Sequence, residues 1–248
     1  GREFTFNTAC SSSANAVLAA ARMIAHGRLD DAVVVGVEVR NQMSLQGFNV
    51  MMLLSPEGCR PFDKRRNGTV LGEGVGAVVL SRSPPRASQF RGPRPFHWAG
   101  GANLVDPANV ASSSAEMIAA VMCRALQDAG RKPDDIAVVK AHGTGTIAND
   151  RAEAEGMRSL FGDDPPPFTS LKPYIGHTLG ACGVMETIVT LACAADGFIP
   201  ATAGFAVPDE ACGCRPLTAP LPFAGGDVLL NYFGFGGNNS SLLISDRP

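Results

Sequence analysis

The sequence predicts a mixed α/β protein in which helices and strands alternate. An Ala-rich helical pattern covers residues 10–27, and a continuous apolar run, Ala32–Val39, follows it. Such a run is typical of a strand that is covered on both faces. Two glycine turns, GEGVGAVVLSR (72–82) and GFGGNNSSLLISD (234–246), each lead into a strand on opposite sides of a Pro-rich stretch. A duplicated α/β unit gives this pattern.

The elements predicted from periodicity and turn residues follow one another in chain order. They are a strand at 3–8, a helix at 10–27, a strand at 32–39, an irregular stretch at 41–58, strands at 75–81 and 96–103, a helix at 112–130, a strand at 136–141, a helix at 148–161, a strand, loop and long helix within 168–197, and two strands around a glycine turn within 227–246. The Pro-rich residues 83–95 predict a surface connector between segments 1–82 and 96–248.

Composition limits the function classes. With 248 residues, 45% hydrophobic and 18% charged, the chain suits one large domain or two intimate halves. A net charge of −2 gives no general attraction to nucleic acid or acidic membranes, and no apolar run reaches the length of a membrane span. The seven cysteines form no CxxC pair. We therefore expect a cytoplasmic protein without a metal site.

Cys10 lies where an apolar stretch meets the first predicted helix. Unpaired N–H groups and the positive end of the helix dipole favour an anion there, which predicts a lowered thiol pKa. The small residues Ser11, Ser12 and Ser13 would let a substrate approach the sulfur. A buried structural cysteine at a helix start remains the alternative on this feature alone.

Two histidines also lie in glycine-rich turns after strands. His142 ends an apolar strand in VVKAHGTGT, and His177 lies in KPYIGHTLGACG before a helix that begins with small residues. One thiol and two imidazoles suit thioester chemistry, which needs a nucleophile, a site for the oxyanion and groups that handle a second substrate. The glycine clusters do not fit phosphate-binding loops, because each leads into a strand, but their N–H groups can serve an oxyanion.

Five blocks in order, TACSSS, RPFDKRRNGTVLGEGVG, HGTGTIAND, SLKPYIGHTLGACGVME and NYFGFGGNNSSLLI, resemble the β-ketoacyl-acyl-carrier-protein synthases. The resemblance implies a thiolase-like fold, which is a duplicated αβαβα layered sandwich. It also implies that Cys10 accepts an acyl group as a thioester and that His142 and His177 complete a Cys-His-His triad for malonyl decarboxylation. The backbone N–H groups of Cys10 and Phe235 would form the oxyanion hole, and Phe235 matches the gating phenylalanine.

The resemblance assigns further residues. Lys172 matches the lysine five residues before the second histidine, Glu153 matches its carboxylate partner, and this pair is expected to orient the histidine turn. Thr144 and Thr146 match the threonines that bind the pantetheine arm. Arg60, Lys64 and Arg65 lie where the family often meets its acidic carrier protein, although a solvated basic loop explains them equally well.

No metal or redox cofactor is implied, because the substrates are carried on the phosphopantetheine of an acyl carrier protein. The expected partners are that carrier protein and a second synthase subunit, identical or related. Asn7, Asn67, Ile147, Pro173 and Asn238 depart from the family pattern, and none of them removes a triad member. The combination of motifs resembles free-standing synthases more than modular polyketide enzymes.

The resemblance also predicts that the first half is incomplete, because only nine residues precede the nucleophile. Segment 1–82 would hold the last strands of the first half, and 96–248 the whole second half. We expect Val33–Val37 to lose a neighbour and expose apolar surface, and the chain alone to fold poorly or be inactive.

Three alternative functions fit the sequence less well. A thiolase shares the fold but uses a second cysteine as base, and the two histidines argue against it. A non-catalytic partner that sets chain length in a heterodimer typically lacks the nucleophile, which is present here. Papain-like hydrolysis is poorly supported, because the cysteine helix follows a buried strand in a duplicated layout.

Overall fold

A computed structural model of the chain describes residues 1–83, 95–108 and 113–247. Apart from its ends, the predicted connector lies outside these residues. The helices are α1 (Ser12–Ala25), α2 (Gln42–Val50), α3 (Ala115–Asp128), α4 (Ile147–Phe161), α5 (Lys172–Ile175) and α6 (Cys182–Ala195). The strands are β1 (Asp31–Glu38), β2 (Gly74–Ser81), β3 (His97–Val105), β4 (Ile136–Lys140), β5 (Phe168–Thr169), β6 (Phe198–Ile199), β7 (Leu221–Pro222), β8 (Asp227–Gly234) and β9 (Asn238–Ser245). None of the helices within the described ranges is long and apolar enough to cross a membrane.

A five-stranded mixed sheet is the centre of the fold, with strand order β3-β9-β8-β4-β5. Strand β4 runs parallel to β8 and β5, whereas β9 runs antiparallel to β8 and β3. Every residue of β8 is buried. Its alternate side chains enter two cores, because Leu229 and Phe233 pack with α3 and α4 while Leu230 and Tyr232 pack with α1 and α6.

A second, two-stranded sheet lies on the other side of α1 and α6. Strands β1 and β2 pair antiparallel, and both contact these helices. Helices α1 and α6 therefore form a middle layer between two sheets, which is the layered α/β arrangement that the sequence predicted. The second sheet buries Val34 toward the helices.

The outer face of this small sheet is exposed. Val33, Val35 and Val37 are 66%, 53% and 54% exposed. The interpretation of Ala32–Val39 as a strand covered on both faces is therefore wrong for this chain. The expected exposure of apolar surface at Val33–Val37 is confirmed, because only the inward-facing side chains of β1 meet the helical layer.

Two local predictions were also wrong. Residues 3–8 form no strand, and no described strand lies beside them to accept their hydrogen bonds. Residues 42–50 form helix α2 instead of an irregular stretch. Asn41 caps it, because its side-chain oxygen accepts a hydrogen bond from the backbone N–H of Ser44 at 2.7 Å.

The proposed duplication has a counterpart in the backbone. Helix α1 leads to the antiparallel pair β1–β2, and helix α6 leads to the antiparallel pair β8–β9. Each helix follows a short 3₁₀ turn that begins with a residue at positive φ, Ala9 at 51° and Leu179 at 40°. A non-glycine residue is strained at positive φ. Because this strain occurs at equivalent points of both units, the two units share a local backbone design.

Helices α1 and α6 touch backbone to backbone at Gly183. A Cβ atom at this position would overlap the backbone nitrogen of Ala14. The Ser13 hydroxyl accepts a hydrogen bond from the N–H of Val184 at 3.1 Å, which fixes the helices at the same level. The contact holds the start of α1 against the start of α6.

Gly183→Ala should destabilise the chain by about 1–3 kcal/mol, because the added methyl group must push the two helix backbones apart. Urea unfolding followed by circular dichroism measures the change. Gly47→Ala is the matched control, since Gly47 lies in helix α2 with open space around it. The packing account fails if both variants unfold at the same urea concentration.

Candidate active site

Cys10 lies in the sharp turn that begins the first helical unit. Its thiol is 4% exposed, and Ala9 before it has the left-handed backbone described above. The Thr8 carbonyl accepts hydrogen bonds from the backbone N–H of Ser11 at 3.3 Å and from the Ser11 hydroxyl at 2.8 Å. The turn is thus fixed by its own small polar side chains.

The pKa of the Cys10 thiol is raised to about 11, because its burial outweighs the favourable charges nearby. The prediction of a lowered pKa from the helix dipole alone was therefore wrong. The Lys172 ammonium and the backbone N–H groups of Phe235 and Cys10 all act in the opposite direction. The two N–H groups predicted for the oxyanion hole thus both interact with the sulfur.

His142 follows strand β4 in a turn held by Glu153. The two carboxylate oxygens of Glu153 accept the backbone N–H groups of His142 and Gly143, each at 2.8 Å. Gly143 has a φ of 43°, and a Cβ there would lie 2.6 Å from the Cβ of Ser170. Only glycine fits this turn without strain.

Lys172 lies behind His142 and uses all three of its hydrogens. Its ammonium donates to the His142 carbonyl and to a Glu186 oxygen, both at 2.6 Å, and it lies 3.3 Å from Nδ1 of His142. The carboxylate partner of Lys172 is therefore Glu186 and not Glu153. Glu153 instead faces the backbone of the histidine turn, because that is where two unpaired N–H groups need an acceptor.

Glu186 also accepts a hydrogen bond from Lys140 at 2.6 Å, so one buried carboxylate joins two buried lysines. Burial raises the pKa of Glu186, but the two ammonium groups hold it at about 2. Neither Glu186 nor Lys140 was singled out from the sequence. Glu186 is the only charged residue in its helix, CGVMETIVTLACAA, and Lys140 is the only one in its strand, IAVVK. A single charge in an apolar element indicates a buried ion pair, and this was the signal that the sequence offered.

His177 is fixed by backbone and by a second cysteine. The backbone N–H of His177 donates to the Val70 carbonyl at 2.7 Å, and the backbone carbonyl of His177 accepts the N–H of Gly72 at 3.0 Å. Its Nδ1 lies 3.1 Å from Sγ of Cys182, which is fully buried. Burial, and then the Lys172 charge, lower the pKa of His177 to about 3, and the same two causes lower the pKa of His142, so both rings are neutral.

The three predicted triad residues share one cavity of about 80 Å³. The two imidazole rings stand nearly perpendicular, with centroids 5.4 Å apart. Residues that line the cavity include Cys10, Phe48, Thr69, His142, Thr144, Thr146, His177, Phe233 and Phe235.

The Phe48 ring stacks on the Phe235 ring, with centroids 5.5 Å apart. Phe48 was not predicted as a site residue, because it lies in helix α2, which the sequence predicted as irregular. Thr144 and Thr146 bond to each other through their hydroxyls at 2.9 Å.

Asn238 links the turn that carries Phe235 to the start of helix α1. Its side-chain oxygen accepts hydrogen bonds from the Ser11 hydroxyl at 2.8 Å and from the amides of Asn15 and Asn103, both at 2.7 Å. This departure from the family pattern therefore connects the Phe235 turn to the segment that carries Cys10.

The basic loop divides between surface and interior. Arg60 pairs with Glu57 at 2.9 Å, Lys64 is exposed, and Arg65 is half-exposed beside Asp63. The loop packs against the threonine turn, because the Cys59 thiol donates to the Thr144 carbonyl at 3.2 Å. Arg66, which continues the basic run, is buried and pairs with Asp209 at 2.5 Å, so it does not belong to the basic surface.

Residues that could bind a metal ion do not cluster in the described part of the chain. Within residues 1–83, 95–108 and 113–247, no three His, Cys, Asp or Glu side chains stand together as a metal site would require. The Cys212-Gly213-Cys214 motif has a free thiol at both cysteines.

Known proteins match this chain over nearly its whole length. Residues 1–85 match the N-terminal domain of beta-ketoacyl synthases, and residues 101–206 match their C-terminal domain. The chain belongs to the β-ketoacyl synthase family. It is 33% identical over 260 residues to "3-oxoacyl-[acyl-carrier-protein] synthase 2" of Coxiella burnetii, a match covering 99% of the chain and 62% of the relative.

Solved ketosynthases share the fold of this chain. A ketosynthase of Xenorhabdus doucetiae, solved in complex with its chain length factor, matches with a TM-score of 0.85 and 33% identity over 98% of the chain and 59% of the neighbour. A beta-ketoacyl synthase of Burkholderia phymatum matches with a TM-score of 0.87 and 32% identity over 96% and 60%. The chain thus spans about three fifths of the length of these relatives.

Lys172→Met should destabilise the chain by about 1–3 kcal/mol, because the buried Glu186 carboxylate and the buried His142 carbonyl each lose a hydrogen-bond donor. Urea unfolding at pH 7 measures the change. Arg60→Met is the control, since the exposed pair of Arg60 with Glu57 contributes less than about 1 kcal/mol. A loss at Lys172 no larger than that at Arg60 would contradict the role given to the buried pair.

Proposed function

We propose that this protein condenses an acyl group held on Cys10 with a malonyl group carried by an acyl carrier protein, releasing CO₂. The single observation that supports this most strongly is the shared cavity, which one thiol, two neutral imidazoles and two backbone N–H donors all reach. Each of these groups has a separate task in the reaction.

The first step transfers the acyl group. The Cys10 sulfur attacks the thioester carbonyl, a carbon–sulfur bond forms, and the pantetheine sulfur leaves with the proton that Cys10 gives up. The developing oxyanion accepts hydrogen bonds from the N–H groups of Cys10 and Phe235. The nearby Lys172 charge favours the thiolate at the moment of attack.

The second step generates the carbon nucleophile. The malonyl carbon–carbon bond breaks, CO₂ leaves, and the electron pair becomes an enolate whose oxygen needs hydrogen-bond donors. Neutral His142 and His177 supply one N–H each toward the cavity, where little water competes. A fully charged imidazolium is disfavoured by burial and by the Lys172 ammonium.

The third step joins the two substrates. The enolate carbon attacks the acyl carbonyl on Cys10, the new carbon–carbon bond forms, and the sulfur leaves as the thiolate, which takes up a proton from solvent. The same two N–H groups hold the second oxyanion, so one donor pair serves both carbonyl additions. No step calls for a metal or redox cofactor.

The thioester arm and the partners follow from the same proposal. Thr144 and Thr146 bind the pantetheine arm at the mouth of the cavity, and Arg60, Lys64 and Arg65 contact the acidic carrier protein. A second synthase-like subunit is the other proposed partner, supported by the relative that is solved in complex with its chain length factor. We propose the cytoplasm as the location, since all seven cysteines are free thiols, as in proteins of a reducing compartment.

The test incubates a full-length version of the protein with acyl- and malonyl-carrier protein. Mass spectrometry reads the Cys10 adduct, and a radiolabel follows CO₂ release. We expect acylation at Cys10, and a loss of that acylation in Cys10→Ala. His177→Ala should keep acylation and lose most CO₂ release, because removing one donor to a developing oxyanion costs about 10²–10³-fold.

Cys123→Ala is the control, since Cys123 lies in helix α3 away from the cavity lining. Labelling of a residue other than Cys10 would overturn the proposed nucleophile. If the protein is folded but Cys10 stays unacylated, the result would favour the alternative function, a non-catalytic subunit of a heterodimer.

A further inference from the structure

Cys182 is a buried nucleophilic group that the proposed mechanism does not use. It begins helix α6, is fully buried, and its sulfur lies 3.1 Å from Nδ1 of His177. The Thr178 hydroxyl donates to the same sulfur at 3.6 Å. A lone buried cysteine needs no function, but this one contacts the ring that lines the catalytic cavity.

The tautomer of His177 decides what the ring can do. A neutral imidazole carries a proton on only one nitrogen, and its partner on the other side selects which one. An N–H that points into the cavity must lie on Nε2, because Nδ1 faces Cys182. Nδ1 must then be an acceptor, and it needs a donor opposite it.

The surroundings of Cys182 make the sulfur that donor. The thiol accepts from Thr178, which leaves its own S–H free to point at the imidazole. Burial, and then the nearby Glu186 carboxylate, raise the pKa of Cys182, so the sulfur keeps its proton. Burial also lowers the pKa of His177, so neither the Cys182 thiolate nor the His177 imidazolium is favoured.

His142 offers an internal parallel. Its Nδ1 faces the Lys172 ammonium at 3.3 Å, and an ammonium has only hydrogens to donate. Lys172 therefore leaves the Nε2 proton of His142 for the cavity. Each of the two imidazoles has one protein donor at Nδ1, a lysine for His142 and a cysteine for His177.

We propose that the Cys182 thiol is a positioning residue that donates to Nδ1 of His177 and thereby holds the ring in the tautomer whose Nε2–H faces the cavity. This inference rests on the proposed condensation for its catalytic consequence, but the tautomer itself does not depend on activity. Cys182 does not touch the substrate and forms no covalent intermediate.

The direct test is the tautomer, measured by long-range ¹⁵N–¹H spectra of the full chain with labelled histidine. We expect His177 to carry its proton on Nε2 in the natural protein. A His177 ring protonated on Nδ1 would overturn the proposal whether or not the protein is active.

Two variants separate the hydrogen bond from packing. Cys182→Ala removes the donor and should give a mixture of His177 tautomers, whereas Cys182→Ser keeps an O–H donor and should restore the Nε2–H form. CO₂ release should fall at least about tenfold in the alanine variant and recover in the serine variant, with acylation of Cys10 unchanged in both. Cys193→Ala, in the same helix, is the matched control.

The outcomes also separate this inference from the proposed function. Normal condensation by Cys182→Ala with an unchanged tautomer would refute the role of Cys182 and leave the proposed function intact. Absence of Cys10 acylation in the natural protein, with the expected tautomer, would refute the function and retain the hydrogen bond. If the alanine variant does not fold, the serine variant and the natural spectrum still decide.

Discussion

The buried carboxylate of Glu186 is the interaction on which the site depends. It accepts a hydrogen bond from each of two buried lysines, Lys140 and Lys172, in the interior between the main sheet and helix α6. Lys172 in turn holds both the carbonyl and Nδ1 of His142, so the charge network ends at a ring that lines the cavity. Because a buried ammonium without a partner is very unfavourable, the ring, the lysine and the helix must assemble together.

The same helix positions the other half of the site. Helix α6 begins at Cys182, which contacts His177, and packs through Gly183 on helix α1, which begins beside Cys10. The two helix starts face each other between the sheets, and Asn238 joins the Phe235 turn to the first of them. Thiol, imidazoles and backbone donors therefore share one cavity because two duplicated helix–strand units meet there.

Much of this arrangement could be predicted from sequence. Cys10, His142 and His177 each carry local signals, a strand end and a glycine turn, and the motifs gave the family and the layered fold. The partner of Lys172 could not be predicted from motif spacing, because Glu186 lies in the middle of an apolar helix and reaches Lys172 only after packing. The pKa of Cys10 was mispredicted for a related reason, since the helix dipole is a local property and burial is a property of the whole fold.

In the proposed reaction, the N–H groups of Cys10 and Phe235 hold the oxyanion formed at the Cys10 thioester. A crystal structure of the acylated protein would show these contacts. We expect the thioester carbonyl oxygen to lie within about 2.7–3.1 Å of both backbone nitrogens, with both imidazoles free to meet the second substrate. An acyl carbonyl that points away from Phe235 and into the side chains of His142 and His177 would contradict it.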